Sequence, residues 1–168
     1  MVVWSGVYHQ SVFINTPNLT VLAPLGREVT TIHGMEPGAS VVSVGALADG
    51  LRFGIIQERE DPDTGDMVRT NMGFTVDCDI CDPDLRIVAG ADNVRVEGNR
   101  FMTANGMRGL VAGPGPIANL HVYENDFQVG VEKVGLGVAG VNGLDVLRNN
   151  FFSFGQPSGG VAMSLLGV

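Results

Sequence analysis

Residues able to bind an anion or transfer a proton stand at matching places in four short segments. In each segment one such residue lies between two apolar residues, and the four are Arg52, Arg95, His121 and Asp145. This alternation is typical of a strand, in which the apolar side chains face one side and the central one faces the other. Tyr123 lies two residues after His121 and shares its side. On strands stacked about 5 Å apart, these groups form a column suited to neutralising a carboxylate and moving a proton.

The same column also has a purely structural interpretation. Strand alternation requires polar residues on the solvent side of a sheet, whatever else they do. Opposite charges on adjacent strands then form exposed pairs, which contribute little to stability. The sequence alone leaves both interpretations open.

A second candidate is an acidic stretch in which Asp61, Asp63 and Asp66 surround Gly65. Aspartates that alternate around a glycine turn can supply oxygen ligands to Ca²⁺, so these three residues are a calcium candidate. The EF-hand pattern is not met, because Pro62 interrupts it and no Glu stands at its twelfth position. The alternative is a solvated, turn-forming loop without metal, and we expect no other cofactor. Four more aspartates follow, namely Asp77, Asp79, Asp82 and Asp84.

The remaining candidate ligands are two cysteines and two histidines. Cys78 and Cys81 form a lone Cys-x-x-Cys, whereas zinc needs two more strong ligands and a redox motif expects a following helix. We therefore expect two unpaired or locally bridged cysteines without chemistry. His9 and His33 are isolated in the sequence and are expected to be partly buried polar residues rather than ligands.

Three segments containing several of these residues superimpose without a gap. They are Asn93–Phe101, Asn119–Phe127 and Gly143–Phe151, and they start 26 and then 24 residues apart. In each, an apolar residue is followed at +2 by Val, at +5 by Asn and at +7 by Phe. A repeat this short is one supersecondary unit, which buries its apolar face only by stacking on its neighbours.

A second series runs between these copies. Val88–Gly90, Val111–Gly113 and Val138–Gly140 repeat Val-Ala-Gly, and Val161–Met163 continues the series. Each repeat of about 25 residues thus carries two or three short strands, and no helical periodicity occurs. The sequence therefore predicts an all-β fold, a parallel β-helix solenoid of roughly six to seven coils.

Two ladders are expected inside this column. The asparagines at +5 can take a left-handed backbone conformation at a tight turn and can hydrogen-bond to one another when stacked. They are Asn99, Asn125 and Asn149. The phenylalanines at +7 are expected to stack inside the coil as offset aromatic rings. They are Phe101, Phe127 and Phe151.

The whole chain, 1–168, is predicted to form a single β-helix domain. Val41–Ala46 and Asp49–Phe53 match the strands of the later repeats, so the first third belongs to the same solenoid. A side loop is expected near 57–84, because 57–66 is strongly polar and rich in turn residues. Long loops on solenoids commonly carry function.

Two parts of the chain resemble a known family. Gly6-Val-Tyr-His-Gln10 before a strand is similar to the Gly-x-Tyr-x-Glu of the opening coil of pectin esterases, with Gln10 in place of Glu. The repeats at 93–151 resemble the coils of carbohydrate-binding and sugar-hydrolase-like proteins. Together these features resemble the right-handed parallel β-helix superfamily, the pectin-lyase-like fold, over nearly the whole chain.

The resemblance implies a right-handed coil, a substrate lying along an outer strand face, and an extracellular or cell-surface location. Members include lyases, hydrolases, esterases and epimerases of acidic polysaccharides, and also phage tailspikes and surface adhesins. The catalytic motifs of the polygalacturonase, pectin esterase and alginate epimerase branches are absent from this sequence. Whether the chain is an enzyme therefore stays open.

Composition limits the partners. Ten Lys and Arg against 18 Asp and Glu give a net charge of −8, so we expect no nucleic-acid binding. No apolar stretch is long enough to predict a membrane span, and the N-terminus lacks the features of a signal peptide. Neither end carries a recognisable cap, which suggests a homo-oligomer or continuation in a longer chain.

Two functions from different classes follow. The first is a polysaccharide-interacting module that acts on acidic glycans, with a divergent carbohydrate-active enzyme of lyase, hydrolase or esterase type as its catalytic form. Its candidate substrate-facing residues are Arg52, Arg95, His121, Tyr123 and Asp145. The alternative is a non-catalytic solenoid segment of a phage tailspike or surface adhesin.

Overall fold

The computed structural model describes residues 1–103, 108–130, 133–153 and 161–167. Across these ranges the chain forms strands and turns without any helix, so the all-β prediction is confirmed and no helix capable of spanning a membrane is found there. The strands in chain order are β1 (Gly6–His9), β2 (Val12–Ile14), β3 (Thr20–Val21), β4 (Thr30–His33), β5 (Val42–Val44), β6 (Arg52–Phe53), β7 (Ile56–Glu60), β8 (Met67–Asn71), β9 (Thr75–Asp77), β10 (Leu85–Ile87), β11 (Arg95–Glu97), β12 (Arg100–Thr103), β13 (Leu110–Ala112), β14 (Ile117–Tyr123), β15 (Asp126–Val129), β16 (Val134–Ala139), β17 (Val141–Leu147), β18 (Asn150–Ser153) and β19 (Val161–Leu166).

Successive coils stack into three parallel sheets. The first sheet has the order β1-β4-β9-β12-β15-β18, the second β2-β5-β10-β13-β16-β19, and the third β3-β6-β11-β14-β17. Neighbouring strands in each sheet are one turn apart along the chain, and the turn that contains β7 and β8 is the longest, so the chain is a parallel β-solenoid of about six turns. The predicted solenoid is therefore confirmed, and its right hand stays a prediction.

The aromatic ladder forms as predicted. Phe101 pairs with Phe127 and Phe127 with Phe151 in the register of the first sheet, and both pairs of ring centroids are 5.0 Å apart. Phe127 is fully buried at the centre of this stack. A second stack, Phe53 on Phe74 at 4.9 Å, continues the aromatic core in the earlier coils and lies outside the sequence repeat.

The asparagine ladder also forms, at the corner between the third and first sheets. Asn99 Nδ2 donates to Asn125 Oδ1 at 3.2 Å, and Asn125 Nδ2 donates to Asn149 Oδ1 at 3.0 Å. The expected left-handed backbone of these asparagines is wrong, because positive φ falls one residue earlier, at Glu124 and Arg148. The preceding residue makes the turn, and the asparagine amide fills the corner.

The second sheet corrects the alignment of the Val-Ala-Gly triplets. Ala112 lies opposite Val138, and Val111 lies opposite Gly137, so the triplets are close to the sheet but out of register. The register instead aligns Leu85 with Leu110 and Leu110 with Leu136, all three fully buried. Burial of these leucines decides the pairing, and a one-residue slip would expose them.

One hairpin leaves the column. Strands β7 and β8 pair only with each other, antiparallel from Ile56 to Asn71. Strands β9 and β10 lie in the first and second sheets, so the excursion ends at Asn71 and is shorter than the expected 57–84 loop. Cys78 and Cys81 form a disulfide and are fully buried within the coil, which fits the locally bridged alternative.

Candidate functional site

The predicted outward column lies on adjacent strands of the third sheet. Arg52 pairs with Arg95, Arg95 with His121, and His121 with Asp145 in the strand register. The residues on either side of His121, Leu120 and Val122, are fully buried. The inward and outward positions of these strands are therefore those that the alternation predicted.

His121, Tyr123 and Asp145 form a hydrogen-bonded triangle on this face. The His121 Nδ1 atom lies 2.9 Å from the Tyr123 hydroxyl and 3.0 Å from Asp145 Oδ2. The Tyr123 hydroxyl donates to the same carboxylate oxygen at 3.2 Å. The sequence placed these three side chains on one side, and the fold brings them into direct contact.

The triangle favours one tautomer of a neutral His121 ring. A carboxylate only accepts hydrogen bonds, so the tautomer with its proton on Nδ1 can donate to Asp145 and has Nε2 as its acceptor. Partial burial, followed by the hydrogen bond to Asp145, raises the pKa of the Tyr123 hydroxyl. Tyr123 thus stays protonated at neutral pH and can donate, while His121 Nε2 can accept a proton.

The two arginines of the column share one buried partner that the sequence did not single out. Glu97 lies one strand from Tyr123 in register, with Oε2 3.3 Å from Arg52 Nη2 and Oε1 3.8 Å from Arg95 Nη1. Its side chain is 8% exposed, whereas that of Arg95 is 47% exposed. Arg95 therefore contacts Glu97 only loosely and presents much of its guanidinium to solvent.

A cleft runs beside the triangle, between the third sheet and the hairpin. Its volume of about 480 Å³ is within the range of small-ligand sites, roughly 300–1,000 Å³. The hairpin supplies one wall and the ends of the sheet strands supply the other. The lining residues are Ile56, Glu58, Arg69, Glu97, Tyr123, Glu124, Leu147 and Arg148.

Glu124 connects the hairpin to the column. Arg69 on β8 forms an ion pair with Glu124, and Arg148 Nη1 lies 3.2 Å from Glu124 Oε1. Arg69 Nε also lies 3.8 Å from Glu58 Oε1 on the opposite hairpin strand. The polar loop predicted from the sequence thus becomes a wall of the cleft, held by charges that only the fold brings together.

The acidic turn of the hairpin uses its carboxylates locally. Asp61 Oδ1 accepts hydrogen bonds from the backbone of Asp63 at 2.8 Å and of Thr64 at 3.3 Å. Asp66 donates its backbone N–H to Thr64 Oγ1 at 3.2 Å. Among the described residues no set of three or more His, Cys, Asp or Glu side chains is arranged to hold a metal ion. The geometry therefore offers the calcium prediction no support.

The fold and the site together define a parallel β-solenoid with a polar cleft on one outer face. Compared with known proteins, the chain matches no family model, no curated protein and no solved structure at a significant level. The resemblance to the pectin-lyase-like superfamily therefore stays a prediction beyond the solenoid architecture itself.

Proposed function

We propose that this chain is a polysaccharide-interacting module that binds acidic glycans on the outer face of its third sheet. The observation that carries the proposal is the triangle of His121, Tyr123 and Asp145, which lies beside Arg95 and adjoins the cleft through Tyr123. Guanidinium groups bind carboxylates with two parallel hydrogen bonds, and phenol, imidazole and carboxylate groups suit sugar hydroxyls.

The acidic character of the ligand follows from the arginines. Arg95 is 3.8 Å from Glu97 and nearly half exposed, so a ligand carboxylate can bind it without first breaking a short ion pair. Arg52 lies one strand away, but its charge is already paired with Glu97, so Arg95 is the main anion-binding group of the column. A uronate whose carboxylate sits on Arg95 would place its ring against His121 and Tyr123, the next positions along the strand stack.

The catalytic form of the proposal is a divergent carbohydrate-active enzyme. In its lyase form, His121 Nε2 takes the proton from the carbon next to the uronate carboxylate, whose charge Arg95 neutralises, and the glycosidic C–O bond on the neighbouring carbon breaks to leave a C=C bond. The Tyr123 hydroxyl gives up its bond to Asp145 and protonates the leaving oxygen. Tyr123→Phe keeps the ring and removes only the hydroxyl, so it should abolish turnover of a uronate polymer and leave most of the binding. Loss of binding instead, or retained turnover, would remove Tyr123 from this role.

An extracellular or cell-surface location is part of the proposal, because acidic structural polysaccharides are found there. The Cys78–Cys81 disulfide supports it, since disulfides persist mainly in oxidising compartments.

Calorimetric titration with polygalacturonate, alginate and a neutral glycan tests the binding proposal. We expect binding to at least one acidic polymer, weakened by added salt because exposed charges are screened, and little heat with the neutral glycan. Absence of binding to every polymer would reject the proposal.

A second candidate is a structural solenoid segment of a phage tailspike or surface adhesin. It is favoured by exposed apolar side chains on β17, β18 and β19, the last strand of each of the three sheets, since exposed apolar surface suits contact with another protein surface. These residues are Leu147, Phe152, Val161, Leu165 and Leu166. Sedimentation over a rising concentration series tests it: assembly would support this role, and a stable monomer throughout would count against it.

A further inference from the structure

Two histidines that are distant in the sequence become neighbours on the outer face of the first sheet. His9 ends β1 and His33 ends β4, and the two residues are paired in the strand register. Their ring centroids are 5.3 Å apart with an interplanar angle of 74°. The coil length brings together two residues that are isolated in the sequence, and of the two only His33 is partly buried as expected, since His9 is exposed.

This spacing is compatible with a shared metal ion as well as with an edge-to-face ring contact. An imidazole nitrogen binds Zn²⁺ at about 2.0–2.1 Å, and the ring centre lies about 1.1 Å behind that nitrogen. Two rings at a tetrahedral angle around one ion therefore have centroids about 5.2 Å apart. The observed 5.3 Å matches this distance, and the terminal torsions of histidine are broad enough to let the rings turn their nitrogens toward one ion.

A carboxylate orients one of the two rings. Asp77 on β9 is the register partner of His33, and its Oδ2 lies 3.4 Å from His33 Nδ1. A carboxylate on one imidazole nitrogen favours the proton there and leaves the other nitrogen as a metal ligand. The side chains of His33 and Asp77 are partly exposed and His9 is exposed, so an ion can reach this face from solvent.

We propose that His9 and His33 bind one divalent transition-metal ion, with Asp77 as the orienting partner of His33. Imidazole nitrogens suit Zn²⁺, Ni²⁺ and Cu²⁺. The site offers two protein ligands and water completes the coordination shell, which agrees with the lack of any three-residue metal set among the described residues. It lies on the first sheet and is independent of the glycan proposal for the third sheet.

Calorimetric titration of the untagged protein with Ni²⁺ tests this site. The chain has three histidines, so His121→Ala is a matched control that removes the remaining imidazole. We expect one bound ion in the native protein and in His121→Ala, and at least a tenfold loss of affinity in His9→Ala and in His33→Ala. Paramagnetic broadening of the histidine ring signals should affect His9 and His33 and spare His121.

Asp77→Asn tests whether Asp77 acts by orienting the His33 ring and not as a ligand of the ion. Loss of such a partner typically lowers metal affinity by about tenfold or more while one ion still binds. An unchanged affinity would remove Asp77 from the site. The whole proposal is overturned if the native protein binds no Ni²⁺, or if His9→Ala and His33→Ala bind it as tightly as the native protein does.

Discussion

The inner side of the first sheet and the outer side of the third sheet differ in how the residue type at matched positions varies from coil to coil. On the inner side, Phe101, Phe127 and Phe151 repeat one residue type at matched positions. On the outer side, the matched positions change residue type along the column. They are Arg52, Arg95, His121 and Asp145.

The difference separates packing from binding. Stacked aromatic rings need the same shape in every coil, so identity along the column indicates a packing role. An exposed position is not required to keep the same shape in every coil. A set of different polar groups at such positions can therefore bind a ligand. If this division is right, substitutions inside the column should change stability, and substitutions on the outer face should change binding.

Phe127→Ala should give the largest loss of stability. The side chain is fully buried between two rings, and truncation of a buried Phe typically costs about 3–5 kcal/mol. Urea unfolding measures the change. Phe152→Ala is the matched control, because this ring lies on the outer side of the same sheet and is 50% exposed. Equal losses for the two variants would break the division between inside and outside.

Asn125→Ala should cost less, about 1–3 kcal/mol, because it leaves buried partners without a hydrogen bond. Asn125 Oδ1 accepts from the backbone of Asn99 at 2.9 Å, and Asn125 Nδ2 donates to the carbonyl of Val96 at 2.9 Å. Asn142→Ala, at an exposed position, should change the unfolding free energy by less than about 0.5 kcal/mol. A neutral Asn125→Ala would show that the ladder is not a source of stability.

Asp84 should make the free energy of unfolding depend on pH. The hydrogen-bonded asparagines of the ladder do not titrate and should have no such effect. Asp84 is fully buried, neither carboxyl oxygen has a hydrogen-bond partner within the described part of the chain, and burial with nearby Asp77 and Asp82 raises its pKa well above the ordinary value. The folded state therefore holds the proton to higher pH than the unfolded state. Its contribution to stability is full below about pH 4 and is lost as the pH rises toward the folded-state pKa.

Asp84→Asn removes this titration. Urea unfolding across pH should show that the variant lacks the decline attributed to Asp84, whereas Asp79→Asn, at an exposed site, should keep it. Identical pH profiles for the native protein and Asp84→Asn would show that the carboxyl does not titrate as described.

His121→Ala should have the smallest effect on stability, under about 0.5 kcal/mol, because the side chain points outward and its hydrogen bonds are partly exposed. Urea unfolding beside Phe127→Ala provides the comparison. A greater loss from His121→Ala than from Phe127→Ala would reverse the assignment of inner and outer positions.

The repeat allowed prediction of the coils because strand alternation and stacked residue types are local signals. The three-residue pattern around His121 already determined which side chains face solvent, and the spacing of Phe127 from its equivalents predicted the aromatic stack. The left-handed position was assigned wrongly, since Asn is favoured in that conformation by propensity, whereas here its amide is needed in the ladder.

The contacts that sequence reasoning missed join side chains at different repeat positions or in coils outside the three matched copies. Glu97 reaches Arg52 across 45 residues, and His33 reaches Asp77 across 44. Asp49–Phe53 matches the later repeat, which places Arg52 in register from the sequence, whereas β1, β4 and β9 lack the repeat, so their pairing could not be read from residue types. The sequence predicted the hairpin as a polar loop. Its ion pair between Arg69 and Glu124 could not be predicted, because Glu124 comes close to the hairpin only in the folded chain.

The most direct test of the proposed site is the affinity for polygalacturonate of Arg95→Ala compared with Arg86→Ala. Both arginines are outward-facing, on β11 and β10, and both substitutions change the net charge equally. Because hydrogen bonds to charged groups contribute about 1.5–3 kcal/mol, we expect Arg95→Ala to lose about tenfold or more in affinity and Arg86→Ala to bind like the native protein. Equal affinities of the two variants would contradict binding on the third sheet.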